Sequence, residues 1–194
     1  MPESEPTIAS RKAAIRAEVR RRRAARTAVE LDAAGAALAG HAAALVGVTI
    51  AAFVGTGGEV PTLPLLDALR GRGARVLLPV LEPDDDLDWS VYHGSGALVT
   101  GRRGTLEPAA TRLGRNAIGT ADLVLAPAIA VDRHGRRLGQ GGGSYDRALG
   151  RTTARIVAVV LDDEVLDEVP AEPHDRPVDG ALTPVGGLSW IACA

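Results

Sequence analysis

Cysteine occurs once, at Cys193, so no disulfide can close within the chain and no cysteine-based zinc site can be built. Aromatic residues are scarce too, with two Trp, two Tyr and one Phe, which leaves few rings for stacking on a ligand. No run reaches the roughly 18 apolar residues of a membrane span, and nothing near the start resembles a secretory signal. His41, His93, His134 and His174 lack metal-ligand spacing. A net charge of −2 with few interleaved aromatics argues against a general nucleic-acid binder. The expectation is a soluble, cytoplasmic monomer in a reducing setting, with neither nucleic acid nor membrane as partner. What is present is ordinary globular material: 194 residues, 46% apolar and 24% charged, enough for one domain over 1–194 that buries roughly 70% of its unfolded surface.

Periodicity predicts a helix from a Ser10 cap to about Thr27, with Ile15 and Val19 four apart on an apolar face. An alanine-rich helix follows over about Leu31 to Val46. Val48 to Val54 reads as a buried strand that ends in Gly55-Thr56-Gly57-Gly58, before a helix near Pro61 to Arg70. Further strands are predicted at Arg75 to Leu81, Asp88 to His93, Leu123 to Val131 and Arg155 to Leu161, with a helix starting at Ser144. Apolar runs without alternation are covered on both faces. The chain is therefore expected to be a three-layer α/β domain around a mostly parallel, partly mixed sheet, its antiparallel members lying within Asp88 to Val99 and Gly180 to Leu182.

Two features carry chemistry. Between a buried strand and a helix start lies Asp132 to Arg147, where five glycines fall within residues 135–143. Glycine lets backbone amides approach a ligand closely, and amides at a helix start favour anions, so this loop suits phosphate oxygens. It is not a P-loop, because no lysine precedes Ser144. A dinucleotide fingerprint is nearer, with Gly139-Gln140-Gly141 followed by Asp162, but seven residues separate the strand from its first glycine. The second feature is a cluster of eight basic side chains against one acid, Glu18, in residues 11–26. Lys12, the only lysine, recurs with Arg16, Arg20 and Arg23 as one helical stripe. Arg11 and Lys12 oppose the macrodipole of their own helix, a conflict that a bound anion would remove. Asp146 and Asp175 are carboxylates of the kind that hold Mg²⁺ beside phosphates. Glu59 sits at a strand end, where open α/β sheets bind ligands.

Lys12 to Arg16, Phe53 to Glu59 with Thr62, Gly104-Thr105-Leu106-Glu107-Pro108, Asp132 through Arg147 and Val169 to Asp179 together resemble the 5-formyltetrahydrofolate cyclo-ligase family. The resemblance implies a Rossmann-like fold and ATP- and Mg²⁺-dependent conversion of 5-formyltetrahydrofolate, a reduced folate, to 5,10-methenyltetrahydrofolate. It further implies a phosphorylated formyl intermediate, with release of ADP and phosphate. By this resemblance Lys12, Arg16, Arg137, Leu138, Gly139, Gln140, Gly141, Gly142, Gly143, Ser144 and Tyr145 bind ATP, with Lys12, Arg137 and Tyr145 in catalytic roles. Phe53, Val54, Glu59, Gln140, Ser144 and Tyr145 form the folate pocket, and Asp146 and Asp175 match magnesium ligands. The sequence departs from the family pattern at Gln140, Ser144 and Arg103. A non-catalytic ATP-binding regulatory module of the same fold and an NAD-dependent oxidoreductase stand as alternatives.

Overall fold

In the computed structural model, which describes residues 6–172 and 175–191, the first helix is capped by Thr7 rather than Ser10. The Thr7 side chain accepts from the Ser10 amide at 3.2 Å, and helix α1 runs Ile8–Ala24. Thr27 starts the next helix, α2 (Ala28–Gly40), three residues before the predicted start, because Thr27 and Glu30 form a reciprocal capping box. The other helices are α3 (Leu63–Gly71) and α4 (Ser144–Leu149).

The strands are β1 (Thr49–Ala51), β2 (Arg75–Leu81), β3 (Leu87–Val91), β4 (Leu98–Thr100), β5 (Leu106–Pro108) and β6 (Leu123–Pro127). They continue as β7 (Ala130–Asp132), β8 (Arg137–Leu138), β9 (Arg155–Val159), β10 (Val165–Leu166), β11 (Gly180–Thr183) and β12 (Gly187–Trp190). The main sheet has the order β12-β11-β9-β6-β1-β2-β3. Its five inner strands are parallel, and β3 and β12 are antiparallel edges. Two expectations are corrected. Gly180 to Leu182 lies parallel to β9, and the antiparallel member is β12, which the sequence reading did not anticipate. The predicted strand Leu123 to Val131 breaks at Pro127, where arginines capture consecutive carbonyls: Arg137 that of Pro127 at 3.0 Å and Arg23 that of Ala128 at 2.8 Å.

Alternate residues of the inner strands enter opposite cores, as the two-residue period of a strand requires. Ile50, Val76, Leu78 and Leu125 pack with Leu38 of α2 and Leu65, Leu66 and Leu69 of α3. Ala51, Leu77, Val124 and Ile156 pack with Ala148 and Leu149 of α4, and with Trp89 and Ile118. The layers are thus helix, sheet, helix, as expected. Helix α1 stands apart on the small sheet β10-β7-β8, to which Val19 and Ile15 give the apolar face predicted for them, against Ile129, Leu138 and Val169. No helix among the described residues is long and apolar enough to cross a membrane. Cys193 and His174 lie outside the described residues.

Buried Asp86 ties the β2–β3 turn to the end of α4. It accepts from Arg151 at 2.9 and 2.5 Å, from Arg115 at 3.1 Å and from the Leu87 amide at 2.8 Å. The Arg151 guanidinium is the main cause that holds its carboxyl down at about 2, against 3.8 ordinarily. A carboxylate depressed on folding stabilises the fold above its unfolded pKa and loses that contribution as pH falls through the folded one. Denaturant unfolding should therefore show about 2 kcal/mol lost between roughly pH 4 and pH 2 through this group. Asp86→Asn should be destabilised at neutral pH and lack that part of the slope.

Candidate active site

The chain passes from β1 to β2 and β3 on one side, then crosses to β6, β9 and β11 on the other. Open α/β sheets bind ligands at such a reversal, outside the carboxyl ends of the strands. A cavity of about 470 Å³ lies there, walled by Phe53 and Val54 after β1, Pro79 and Leu81 of β2, Pro127 of β6 and the loop Gly139 to Gly143. This volume is in the range of small-molecule sites, roughly 300 to 1,000 Å³.

The turn after β1 delivers Glu59. Gly55 is obligatory in that turn, since a Cβ there would sit 2.2 Å from the Val60 carbonyl oxygen. Thr62 donates to the Phe53 carbonyl at 2.7 Å and accepts from the Gly55 amide at 2.9 Å, which locks the loop. Glu59 then accepts from Gln140 Nε2 at 2.9 Å and from the Thr56 amide at 3.1 Å, with Arg23 Nη1 at 3.6 Å.

The glycine loop is bounded by guanidinium groups. Gly141 and Gly143 have φ of 102° and 71°, the left-handed region that favours glycine. A Cβ at Gly139 or Gly143 would meet an Nη1 atom of Arg137 or Arg147 at 3.1 Å, and one at Gly141 would touch Arg16 at 3.7 Å. Arg16 Nε donates to the Gly139 carbonyl at 2.9 Å, and Arg20 to the carbonyl and side-chain oxygens of Gln140 at 3.3 and 3.2 Å. Among the described residues, none of the N–H groups of Gly139 to Gly143 donates to a protein acceptor. Helix α4, at six residues, is too short to add much dipole, so amides and arginines set the positive potential here.

The predicted residues Phe53, Val54, Glu59, Arg137, Gly139, Gln140, Gly141, Gly142, Gly143, Ser144, Tyr145 and Asp146 all line this one cavity. Arg137 is buried, ion-paired to Asp146, and its Nε has no partner among the described residues. The Tyr145 hydroxyl is also buried and has no partner among the described residues, its ring set edge-on to Trp89 at 6.5 Å. Burial holds that hydroxyl well above the ordinary phenol range and charge on Glu59 adds to it, against Arg137, so it remains a donor. Leu138 is buried beneath the loop in the α1 cluster. Lys12, Arg16 and Asp175 do not line the cavity. Lys12 bonds Glu172 at 2.9 Å and Asp175 at 2.6 Å. Burial works against its charge, but the bonds to Asp175 and Glu172 outweigh that and raise its pKa, so it stays an ammonium. These carboxylates, and Glu168 against Arg11 at 3.4 Å, supply the anions that the first turn of α1 lacked.

The two proposed metal carboxylates are each engaged by a cation, Asp146 by Arg137 and Asp175 by Lys12. Among the described residues no group of three or more metal-ligating side chains gathers. Asp146 beside the glycine loop still fits Mg²⁺, which commonly uses one or two carboxylates and otherwise phosphate oxygens and water. Asp162 does not wait for a ribose. It accepts from Thr183 Oγ1 at 2.6 Å and the Gly186 amide at 2.9 Å, holding the β11–β12 turn.

Sequence reasoning missed two features. Arg23 is no part of a solvated stripe: it is buried and bonds Glu164 at 2.7 and 2.9 Å, a pairing 141 residues apart that no local spacing reveals. Glu107, within the quoted Gly104 to Pro108 segment, lines the cavity and accepts from the Leu81 amide at 3.1 Å and Thr105 Oγ1 at 2.8 Å. Its carboxylate fills the space of a Cβ at Gly101, and that glycine was the available signal.

A cavity at the sheet's crossover point, with unengaged amides, buried donors and the carboxylates of Glu59, Glu107 and Asp146, defines an α/β enzyme for a small polar ligand. The chain belongs to the 5-formyltetrahydrofolate cyclo-ligase family, whose model matches residues 8–184, and it is a ligase. It is 48% identical over 149 residues to the 5-formyltetrahydrofolate cyclo-ligase of Mycolicibacterium smegmatis, covering 73% of this chain and 76% of that one. To the Escherichia coli K12 protein of the same name it is 33% identical over 147 residues, covering 73% and 81%. The solution structure of Aquifex aeolicus 5,10-methenyltetrahydrofolate synthetase shares the fold, with a TM-score of 0.76 over 94% of both chains at 24% identity.

Removing one member of a buried ion pair leaves the other charge uncompensated. Arg23→Met should cost about 3 to 5 kcal/mol in denaturant unfolding, and the double variant Arg23→Met, Glu164→Leu should recover much of it.

Proposed function

We propose that the chain closes 5-formyltetrahydrofolate to 5,10-methenyltetrahydrofolate at the expense of ATP, with Mg²⁺, releasing ADP and phosphate. The observation that carries this is the loop Gly139 to Gly143, whose first two carbonyls are taken by Arg16 and Arg20 while its amides remain unengaged among the described residues beside the Glu59 cavity. In a trans peptide, C=O and N–H point to opposite sides. Anchoring the Gly139 and Gln140 carbonyls on α1 therefore turns the Gln140 and Gly141 amides away from that helix, as donors for phosphate oxygens.

The formyl oxygen attacks the γ-phosphorus and the bond to the β-phosphate oxygen breaks, so ADP leaves and the formyl oxygen carries the phosphoryl group. N10 then attacks the formyl carbon and loses its proton. The carbon–oxygen bond breaks, phosphate departs with the former formyl oxygen, and the methenyl bridge remains. Such phosphoryl transfer needs positioning and charge neutralisation rather than a protein nucleophile. Glu59 can accept from the amino and ring N–H groups of the pteridine, and Phe53 and Tyr145 supply apolar wall. Arg137 and the Tyr145 hydroxyl offer donors where negative charge develops. Asp146, with Asp175 as a second carboxylate, would hold Mg²⁺, which would supply charge neutralisation for the triphosphate. Lys12 lies one helical turn, about 6 Å, before Arg16 on the same face, and its ammonium serves the phosphates when Asp175 and Glu172 release it.

With MgATP and 5-formyltetrahydrofolate the protein should produce methenyl absorbance, and none should appear without ATP. Lys12→Ala should raise the KM for ATP at least about tenfold, as expected for loss of a charged hydrogen bond, or abolish turnover with the fold intact. MgATP binding without methenyl formation would instead favour a non-catalytic regulatory module.

A further inference from the structure

Only two non-glycine residues among those described adopt a left-handed backbone, Asp85 at φ 63° and Arg103 at φ 55°. They are bonded to each other: Arg103 Nη2 lies 2.6 Å from Asp85 Oδ1. Such conformations are strained and persist where the surroundings enforce them, commonly at ligand sites. Here the enforcement joins three segments at the cavity's rim: the β2–β3 turn with Asp85, the β4–β5 loop with Arg103, and α4, whose Arg147 donates to the Asp85 carbonyl at 2.6 Å. Arg103 also lines the cavity.

Charge is therefore arranged along the cavity. Glu59 hangs from the β1 turn, beside Gln140 and Arg23. Arg103 reaches the same cavity from the β4–β5 loop, where it pairs with Asp85 of the β2–β3 turn. A ligand that spans it needs hydrogen-bond donors at one end and an anion at the other. A reduced folate has that form, with a donor-rich pteridine head and a glutamate tail bearing carboxylates. A guanidinium is a natural partner for a carboxylate, and Arg103 already holds one, that of Asp85, through a single close contact.

We propose that Arg103 is the residue that selects the glutamate tail of the substrate, exchanging the Asp85 carboxylate for a carboxylate of the tail. The proposal rests on the folate reading of the site and adds a specificity determinant to it. A triphosphate is the other anion that could meet Arg103, so the test separates the two.

The experiment compares kcat/KM for 5-formyltetrahydrofolate and for 5-formyltetrahydropteroate, which lacks the glutamate, at saturating MgATP, together with the KM for ATP. Wild type should prefer the glutamate-bearing substrate about fivefold, the scale of an exposed ion pair. Arg103→Asn keeps a residue tolerant of the left-handed backbone and should bring that ratio close to one, through KM for the tailed substrate, without moving KM for ATP. Asp85→Asn, equally tolerant, removes the competing carboxylate and should raise the ratio. An unchanged ratio in Arg103→Asn, or a rise in its KM for ATP, overturns the proposal. So does a fall in the ratio for Asp85→Asn, which would make the pair a structural clasp alone. Failure of the wild type to cyclise either substrate overturns the folate reading, and this proposal with it.

Discussion

Two arginines of α1 hold two carbonyl oxygens, those of Gly139 and Gln140, in the loop that follows β8, and the remaining features of the site take their places around that contact. A glycine-rich loop has no side chains with which to fix itself. Left alone it would sample many conformations, and ordering them would cost a ligand affinity. Arg16 and Arg20 remove much of that freedom from outside, by bonds to the main chain. Because they hold carbonyls, they leave the amides available, and the direction of the anion site follows from the planarity of the peptide.

That contact depends in turn on α1 being seated firmly, and its seat is partly ionic. Val19 and Ile15 give it a small apolar face, and Arg23 drives a guanidinium into the interior against Glu164 and the Ala128 carbonyl. Arg23 also stands 3.6 Å from Glu59. The helix that fixes the anion loop thus also faces the carboxylate at the other wall of the cavity. At its N-terminal end Lys12 is kept charged by Asp175 and Glu172, which occupy in this structure the role that a polyanion takes under the proposed mechanism.

Much of this was legible in the sequence because it was periodic or dense in one residue type. The apolar runs gave the inner strands, Arg75–Leu81 and Ser144–Leu149 fell where read, and the five-glycine segment placed the anion loop. The helical stripe put Lys12, Arg16 and Arg20 on one face of α1. What was not legible depended on distant partners. Serine is the better cap by propensity, and only the chain's path selects Thr7 over Ser10. The antiparallel return of β12 follows a hairpin turn held by Asp162, whose spacing from the glycines had matched a dinucleotide fingerprint. Arg23 read as one more member of the basic stripe, and only tertiary packing shows that Glu164 awaits it.

Amide hydrogen exchange over residues 139–145, with and without MgATP, examines the central contact most directly. The amides of Gln140 and Gly141 should exchange quickly in the free protein and slow markedly when MgATP is added, and Arg16→Ala should weaken that protection. Saturating MgATP that leaves the exchange of these amides unchanged would contradict the account.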